Sequence, residues 1–399
     1  MGSVSENGVL HGLPYLDLAY ELNNSEATAK ELAYSIQPSW RDTPEQIQIV
    51  QFKEGITNTL LKLARHAPGW TQDEVDRDSV LMRAYGNNTD ILIDRDREAT
   101  SHLVCAKHGL APPLLARFKN GLLYRYIPGD VCTPQDLINE QIWRPVARRL
   151  GQWHATLPID ALSSLKGNEG SEPNGQVHGI TARKPSPNIW TVMRRWVHAL
   201  PQDNPKQQAR RKFLEEELDR SFMELDNADG PGRHGFVFGH CDLLSANVIK
   251  TGVERGLQQI AFIDYEYAVT CPAAFDISNH FAEWGGYDCD YNMLPTKSIR
   301  HEFLKEYLES YNVHSDKALP DATALEFLEA EIDRYRGMPG LYWGIWALIQ
   351  AQISLIDFDY ASYAEVRLGE YTAWRNASNA QQAEANTEKP LRERRWAET

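Results

Sequence analysis

The sequence is short of positive charge, of paired cysteines and of long apolar runs, and each shortage removes a class of protein. Its 41 lysines and arginines stand against 55 aspartates and glutamates, a net charge of −14. A nucleic-acid surface needs basic patches to meet phosphate, so that class is set aside, whereas a small cationic substrate suits the charge. The five cysteines, Cys105, Cys132, Cys241, Cys271 and Cys289, are scattered and odd in number, with no CxxC spacing. That gives no metal site and fits a reducing compartment. The most apolar long run, Leu341 to Ile356, is interrupted by Gln350 and Gln352 and is shorter than the ~20 residues a membrane span needs. No N-terminal apolar stretch reads as a signal peptide, and Glu6 stands where a myristoylation motif wants Ser or Thr. There is no internal repeat. A cytoplasmic globular protein with no integral membrane segment is expected.

The 399 residues are enough for two lobes of different architecture. Residues 1–46 read as an N-terminal extension, loose to about residue 24, with a short helix from Ser25, a plausible N-cap, to about Gln37. Ile47 to Phe52 and Thr59 to Leu63 read as a strand hairpin, and Ser79 to Tyr85 as a third strand. Residues 94–108 read as a helix capped by Asp94. Leu114 to Phe118 and Leu122 to Tyr126 flank Asn120-Gly121, a strong hairpin signal. Residues 47–127 therefore form a small sheet with one helix. Residues 128–376 turn largely helical, with segments at 134–157, 189–200, 207–225, 296–311, 323–336 and 341–356. Residues 158–187 read as a long surface loop. Residues 377–399 are polar and charged with almost no apolar anchor, and read as a disordered tail. The fold class is α+β.

The chemistry concentrates in Phe236-Val-Phe-Gly-His240-Cys-Asp242-Leu-Leu-Ser-Ala-Asn247. An apolar run leads into His-x-Asp, an Asn follows five residues after the Asp, and a second apolar run returns as Ile260-Ala-Phe-Ile263 to deliver Asp264. Phosphoryl transfer needs a carboxylate to take the acceptor's proton and hard oxygen ligands to hold metal ions against ATP phosphates. Asp242 supplies the first, and Asn247 with Asp264 the second. The spacing H-x-D-x-x-x-x-N is that of a kinase catalytic loop. Upstream, the turn containing Gly55, Thr57 and Asn58 is placed to cover phosphates. Arg83 is the phosphate-binding cation on the third strand, and Glu98 its partner on the next helix. Tyr124 to Ile127, Tyr126 among them, is the expected hinge lining the adenine site. Trp343 and Trp346, three apart on one helix face, offer ring faces to a cation, with Glu266 as a complementary carboxylate. On spacing alone, two Trp three apart are more often the pattern of core packing. Asp276 reads as a brace for the catalytic loop, and His280 as a hydrogen-bonded interior residue.

With these motifs the chain resembles the choline/ethanolamine kinase family, most closely its ethanolamine-directed members, from roughly Ile47 to Trp374. Matching stretches include Glu54-Gly-Ile-Thr-Asn58, Val80 to Asn87, the His240–Asn247 loop, Phe262 to Tyr267, Phe275 to Trp284 and Trp343-Gly-Ile-Trp346. The resemblance implies a bilobal protein-kinase-like fold with a small sheet-bearing N-lobe and a larger helical C-lobe. It implies ATP as donor, Asp242 as base, and Asn247 and Asp264 as Mg2+ ligands. It also implies an amino-alcohol pocket near Glu266, Trp343, Trp346, Phe358 and Tyr363. Leu243-Leu244 and the absence of tyrosines just after Tyr267 point to ethanolamine, with choline or dual specificity as the alternative. Another small-alcohol phosphotransferase, or a non-catalytic kinase fold, stands further off, because the base, metal ligands and Arg83 are all retained. No Ala-Pro-Glu segment follows Asp264, which disfavours a protein kinase. Oligomeric state is open, with a homodimer the candidate assembly.

Overall fold

The computed structural model describes residues 10, 12–52, 58–86, 89–163, 187–225, 231, 235–315, 322–379 and 390–399. The chain divides into two compact units, Met1–Asp130 with Ser354–Ile356, and Val131–Ile353 with Asp357–Thr399.

The first unit is built on a six-stranded sheet. Its strands are β1 (Tyr15–Leu16), β2 (Ile47–Phe52), β3 (Thr59–Arg65), β4 (Val80–Ala84), β5 (Leu114–Phe118) and β6 (Gly121–Arg125), in the order β1-β5-β6-β4-β3-β2. Alternation places Leu114, Ala116 and Phe118 of β5 on the buried side. Helix α1 (Ser25–Ile36) lays Ala29, Leu32 and Ala33 beside Trp40, Leu63, Val80 and Met82 in one apolar core. The segment expected as an N-terminal extension is thus part of the sheet unit. Tyr15–Leu16 pairs in parallel with Arg117–Phe118, a long-range pairing that local sequence does not announce. Asn24, not Ser25, holds the capping position, and it makes no capping hydrogen bond. A second unexpected element, α2 (Gln72–Asp78), starts from a Thr71–Glu74 capping box. Helix α3 (Arg95–Lys107) follows Asp94, whose side chain accepts from the N–H groups of Asp96 and Arg97.

The second unit is mostly helical. Strand β7 (Asp130–Val131) leads into α4 (Pro134–Leu137) and α5 (Glu140–Thr156). The single helix expected over 134–157 is two because Asn139 caps the second, its side chain accepting from Gln141 N–H at 3.0 Å. Helices α6 (Ile189–Ala199) and α7 (Pro205–Leu225) follow. The chain then threads β8 (Phe236–Gly239), β9 (Val248–Glu254), β10 (Leu257–Phe262) and β11 (Val269–Pro272). Strand β8 pairs antiparallel with β11, and β9 with β10. The remaining helices are α8 (Ala273–Glu283), α9 (Lys297–His314), α10 (Ala322–Tyr335), α11 (Met338–Ile353), α12 (Tyr360–Asn379) and α13 (Leu391–Ala397). Most of the loop expected over 158–187 lies outside the described residues. The end of the expected tail is ordered instead: α13 buries Arg392, Glu393 and Trp396. Its anchors are one aromatic and buried ion pairs, which composition alone reads as a solvated segment.

Helices α5 and α9 approach so closely at Gly151 that a Cβ there would lie 2.4 Å from the Tyr307 carbonyl oxygen. A backbone atom cannot step aside as a flexible side chain would. Gly151→Ala is expected to destabilise the protein by about 1–3 kcal/mol, read as a lower urea midpoint at unchanged m-value. An unchanged midpoint would show that the helices separate freely.

Candidate active site

Strand β8 delivers the chain into the His240–Asp242 turn, where Cys241 takes φ +61°. A non-glycine residue holds that conformation only when its surroundings fix it. Helix α8 supplies the fixing groups from one face, at positions 276, 279 and 280. The Asp276 carboxylate accepts from His240 N–H at 2.9 Å and from Cys241 N–H at 2.7 Å. His154 of α5 donates from Nε2 to the same carboxylate at 2.9 Å, and its Nδ1 meets the Tyr307 hydroxyl at 2.9 Å. Burial works against an ionised Asp276, but the hydrogen bond and charge of His154, with those of His240, outweigh burial. Its pKa therefore lies below the ordinary value. Asn279 donates from Nδ2 to Cys241 O at 3.1 Å and accepts from Trp343 Nε1–H at 2.8 Å. His280 lies 2.7 Å from Leu243 O through Nδ1 and 3.1 Å from Trp284 Nε1 through Nε2. A carbonyl only accepts and an indole N–H only donates, so His280 is neutral with its proton on Nδ1.

The turn presents Asp242 beside Asn247. Asn247 Nδ2–H donates to Asp242 O at 2.7 Å and to Asp242 Oδ2 at 3.0 Å, which turns the amide oxygen away from Asp242. The β9–β10 hairpin returns the chain so that Ile263 N–H donates to Asn247 O at 3.0 Å. Asp264 follows at φ +65°, a conformation aspartate tolerates better than most. Asp242 is buried, and burial first, then the charges of Asp264, Glu283 and Glu266, push its carboxyl well above the usual range. The Asn247 hydrogen bond pulls the other way. Four acidic side chains thus act on one enclosed place, an arrangement that a cation stabilises.

Aromatic rings adjoin these carboxylates. Trp343 and Trp346 of α11 stand perpendicular with centroids 5.4 Å apart, and Tyr267 lies 5.7 Å from Trp343. Trp346 Nε1–H donates to the Tyr267 hydroxyl at 2.7 Å, and its ring meets Tyr360 at 5.7 Å. Phe358 touches the rings of Tyr360, Tyr363 and Tyr287 at 4.8, 5.6 and 6.2 Å. Tyr287 is 43% exposed, yet its phenol is held neutral first by burial and then by the charges of Asp242 and Glu283. Glu283 accepts from Arg367 at 2.6 Å, and burial raises its carboxyl's pKa despite that partner.

The second unit therefore brings together Asp242, Asn247, Asp264, Glu266, Trp343, Trp346, Phe358 and Tyr363, all expected from the sequence. Glu283, Tyr287, Tyr267 and Tyr360 were not singled out there. The spacing 276, 279, 283 on α8 was the available signal for Glu283. In the first unit, Arg83 of β4 and Glu98 of α3 are both buried, with NH1 and Oε1 3.6 Å apart. Arg95 is the nearer partner of Glu98, at 3.0 Å. Asn58 Oδ1 accepts from Gly86 N–H at 3.2 Å. Tyr124, Tyr126 and Ile127 are half-buried at the end of β6. Lys62 Nζ sits 3.8 Å over the Tyr126 ring. Gly55 and Thr57 lie outside the described residues.

A profile of the choline/ethanolamine kinase family matches residues 49–372. The chain is similar to ethanolamine kinase 1 of Mus musculus, 32% identical over 90% of this chain and 93% of that one. It is 35% identical to the ethanolamine kinase of Drosophila melanogaster over 74% of this chain, a match that spans 54% of the fly protein's length. Among solved structures it is similar to the ethanolamine kinase of Plasmodium vivax, with TM-score 0.65 at 22% identity over 89% of each chain. It is also similar to a choline kinase from Cryptosporidium parvum, with TM-score 0.62 at 19% identity over 88% of this chain and 97% of that one. At these identities the likeness establishes a shared kinase-like fold.

The neutral His280 gives the loop a measurable pH dependence. Burial lowers its pKa to about 4 in the folded state, against about 6.5 unfolded. Between those values the unfolded state binds more protons, so stability falls as pH drops through the window and is fully present above about pH 6.5. Between pH 7 and pH 4.5 the loss of unfolding free energy is expected to shrink by roughly 2–3 kcal/mol in His280→Gln. An identical loss in both proteins would show that His280 does not titrate with folding.

Proposed function

The chain belongs to the choline/ethanolamine kinase family, and on that premise we propose that it phosphorylates the hydroxyl of ethanolamine, with ATP as donor, giving phosphoethanolamine and ADP. The observation that supports this most is the juxtaposition of buried carboxylates with the Trp343–Trp346 corner. Acidic groups and ring faces together suit a small cation that also carries an alcohol.

Asp242 is the proposed base. As the acceptor oxygen bonds to the γ-phosphorus and the bond to ADP breaks, the hydroxyl proton passes to Asp242. Its raised pKa suits a group that must hold a proton briefly, and Asn247 keeps its carboxylate oriented through the contact at 3.0 Å. The Asn247 amide oxygen and the Asp264 carboxylate are the proposed Mg2+ ligands; when bound, the ion would offset the negative charge of the donor's phosphates. The charge that burdens Asp242 is the structural reason these residues fit a cation. Arg83, tethered through Glu98, is the proposed phosphate-binding cation, and Asn58, Tyr124, Tyr126 and Ile127 are proposed nucleotide contacts.

The choice of ethanolamine rests on the balance of lining groups. A primary ammonium donates up to three hydrogen bonds, and Glu266 and Glu283 offer acceptors. A quaternary ammonium donates none and relies on ring faces and charge alone. After Tyr267 the residues Ala268 to Pro272 are buried, and Val269–Pro272 pairs with β8, so that segment supplies structural support in place of further aromatics. Choline remains the second reading, favoured by the Trp343, Trp346, Tyr267 and Tyr360 rings. Among the described residues no helix is long and apolar enough to cross a membrane.

Asp242→Asn is expected to lower kcat on the order of 10³-fold while ATP binding, followed by calorimetry, persists. Near-normal turnover would remove the base assignment. Trp346→Leu is expected to raise KM for ethanolamine about three- to thirtyfold with little change in KM for ATP. Equal changes in both would identify Trp346 as packing only.

A further inference from the structure

Glu283 is linked to the C-terminal helix by an unbroken series of alternating charges. Arg367 of α12, fully buried, donates to Glu283 Oε1 at 2.6 Å and lies 3.6 Å from Glu370 Oε2. Glu370, also buried, lies 3.8 Å from Arg392 Nε on α13. Arg392 pairs with Glu393 at 3.4 Å and donates to Arg336 O at 2.6 Å; Glu393 in turn pairs with Arg336 at 3.0 Å. A second, independent contact joins the same helices: the ring of Trp396 on α13 meets that of Phe281 on α8 at 6.3 Å. Phe281 is two residues from Glu283. Trp396 itself is seated by its Nε1–H donating to Asp333 at 2.6 Å, by Arg300 stacked on its face at 3.8 Å, and by its carbonyl accepting from Arg300 at 2.9 Å.

We propose that α13 is a positioning element for the acceptor pocket: Arg392 holds Glu370, Glu370 fixes Arg367, and Arg367 fixes the Glu283 carboxylate toward the substrate's ammonium. This rests on the amino-alcohol reading of the pocket. Arg367 is shared between two carboxylates, and its closer approach is to Glu283. Arg392 makes that division possible by answering the charge of Glu370 from the other side. Without Arg392, the buried Glu370 keeps the Tyr291 hydroxyl and Arg367 as partners and competes more strongly for Arg367, the one remaining cation, since a charge in a low-dielectric interior is drawn to its nearest counter-ion. Arg367 then moves toward Glu370, and Glu283 loses the donor that sets its orientation. A carboxylate free to change rotamer binds a small cation less well than one held in place. The groups acting on Glu283 are Arg367, Glu370 and Asp242, with Tyr287 adjoining. Arg367 is the cation among them, so its placement decides the outcome. The role differs from simple stabilisation because it predicts an effect on one substrate and not the other.

The test uses the full chain, with Mg-ATP and ethanolamine varied separately. Arg392→Met is expected to raise KM for ethanolamine about three- to tenfold, with KM for ATP within about twofold of wild type. Arg392→Lys is expected to restore most of the loss, because it keeps the charge. Arg395→Met, on the same helix but bonded to Leu294 O and Glu398, is expected to leave both constants unchanged. Should Arg392→Met fail to fold, Trp396→Phe loosens the helix more gently and is expected to raise KM for ethanolamine alone. An unchanged KM for ethanolamine in the folded variant, an equal rise in both constants, or an equal effect of Arg395→Met overturns the proposal. A wild-type protein active on ethanolamine whose Arg392→Met variant is unaffected overturns this inference alone. A wild-type protein inert on ethanolamine overturns the pocket reading and this inference with it.

Discussion

Two consecutive backbone N–H groups, those of His240 and Cys241, point at one buried carboxylate, Asp276. Such a pair of donors satisfies both carboxylate oxygens and can be placed only by a turn of one shape. The left-handed φ of Cys241 is part of that shape, and the hydrogen bonds from His154 and Asn279 keep it from relaxing. Everything the loop presents follows from it: Asp242 faces Asn247, and the hairpin return sets Asp264 after the residue bonded to Asn247. The brace comes from α8, the helix that also ends in Glu283. One rigid element thus positions Asp242, the proposed base, and Glu283, a proposed pocket carboxylate, together, which is the arrangement a site needing sub-ångström placement requires.

The electrostatics of the pocket set its buried carboxylates against one another. Burial and three neighbouring acids make an ionised Asp242 costly, and the charges of Asp242 and Glu283 also act to raise the pKa of the Tyr287 phenol. Stabilising groups are drawn from outside the cluster: Arg367 on Glu283, and the buried Glu370 and Arg392 behind it. Such strain is usual where charge is reserved for a ligand rather than spent within the fold. A cationic substrate and a metal ion would each offset part of it, which links affinity to these same buried charges.

Much of this was legible in the sequence where it depended on local spacing. The H-x-D-x-x-x-x-N loop, its hairpin return and Arg83–Glu98 on a strand and the next helix are short-range patterns, and the structure places Asn247 on Asp242 and Arg83 near Glu98. What the sequence hid depends on distant partners. Tyr15–Leu16 becomes a strand only because Arg117–Phe118 offers it an edge. Residues 391–397 read as solvated because four of the seven are charged, yet Arg392 meets the buried Glu370 of α12, Glu393 meets Arg336 in the turn between α10 and α11, and Trp396 packs on Phe281. Glu283 lies within the Phe275–Trp284 stretch and shares the helix face of Asp276 and Asn279, but only its place beside Arg367 and Asp242 marks it as a pocket group.

The most direct measurement of the central claim is product formation by the full-length protein with Mg-ATP, followed by phosphorus NMR in parallel reactions with ethanolamine and choline. A phosphomonoester resonance of phosphoethanolamine, formed with kcat/KM more than about tenfold that for choline, is the expected result. Equal or better use of choline would contradict the weight given to the pocket carboxylates, and no phosphomonoester from either alcohol would contradict the kinase reading itself.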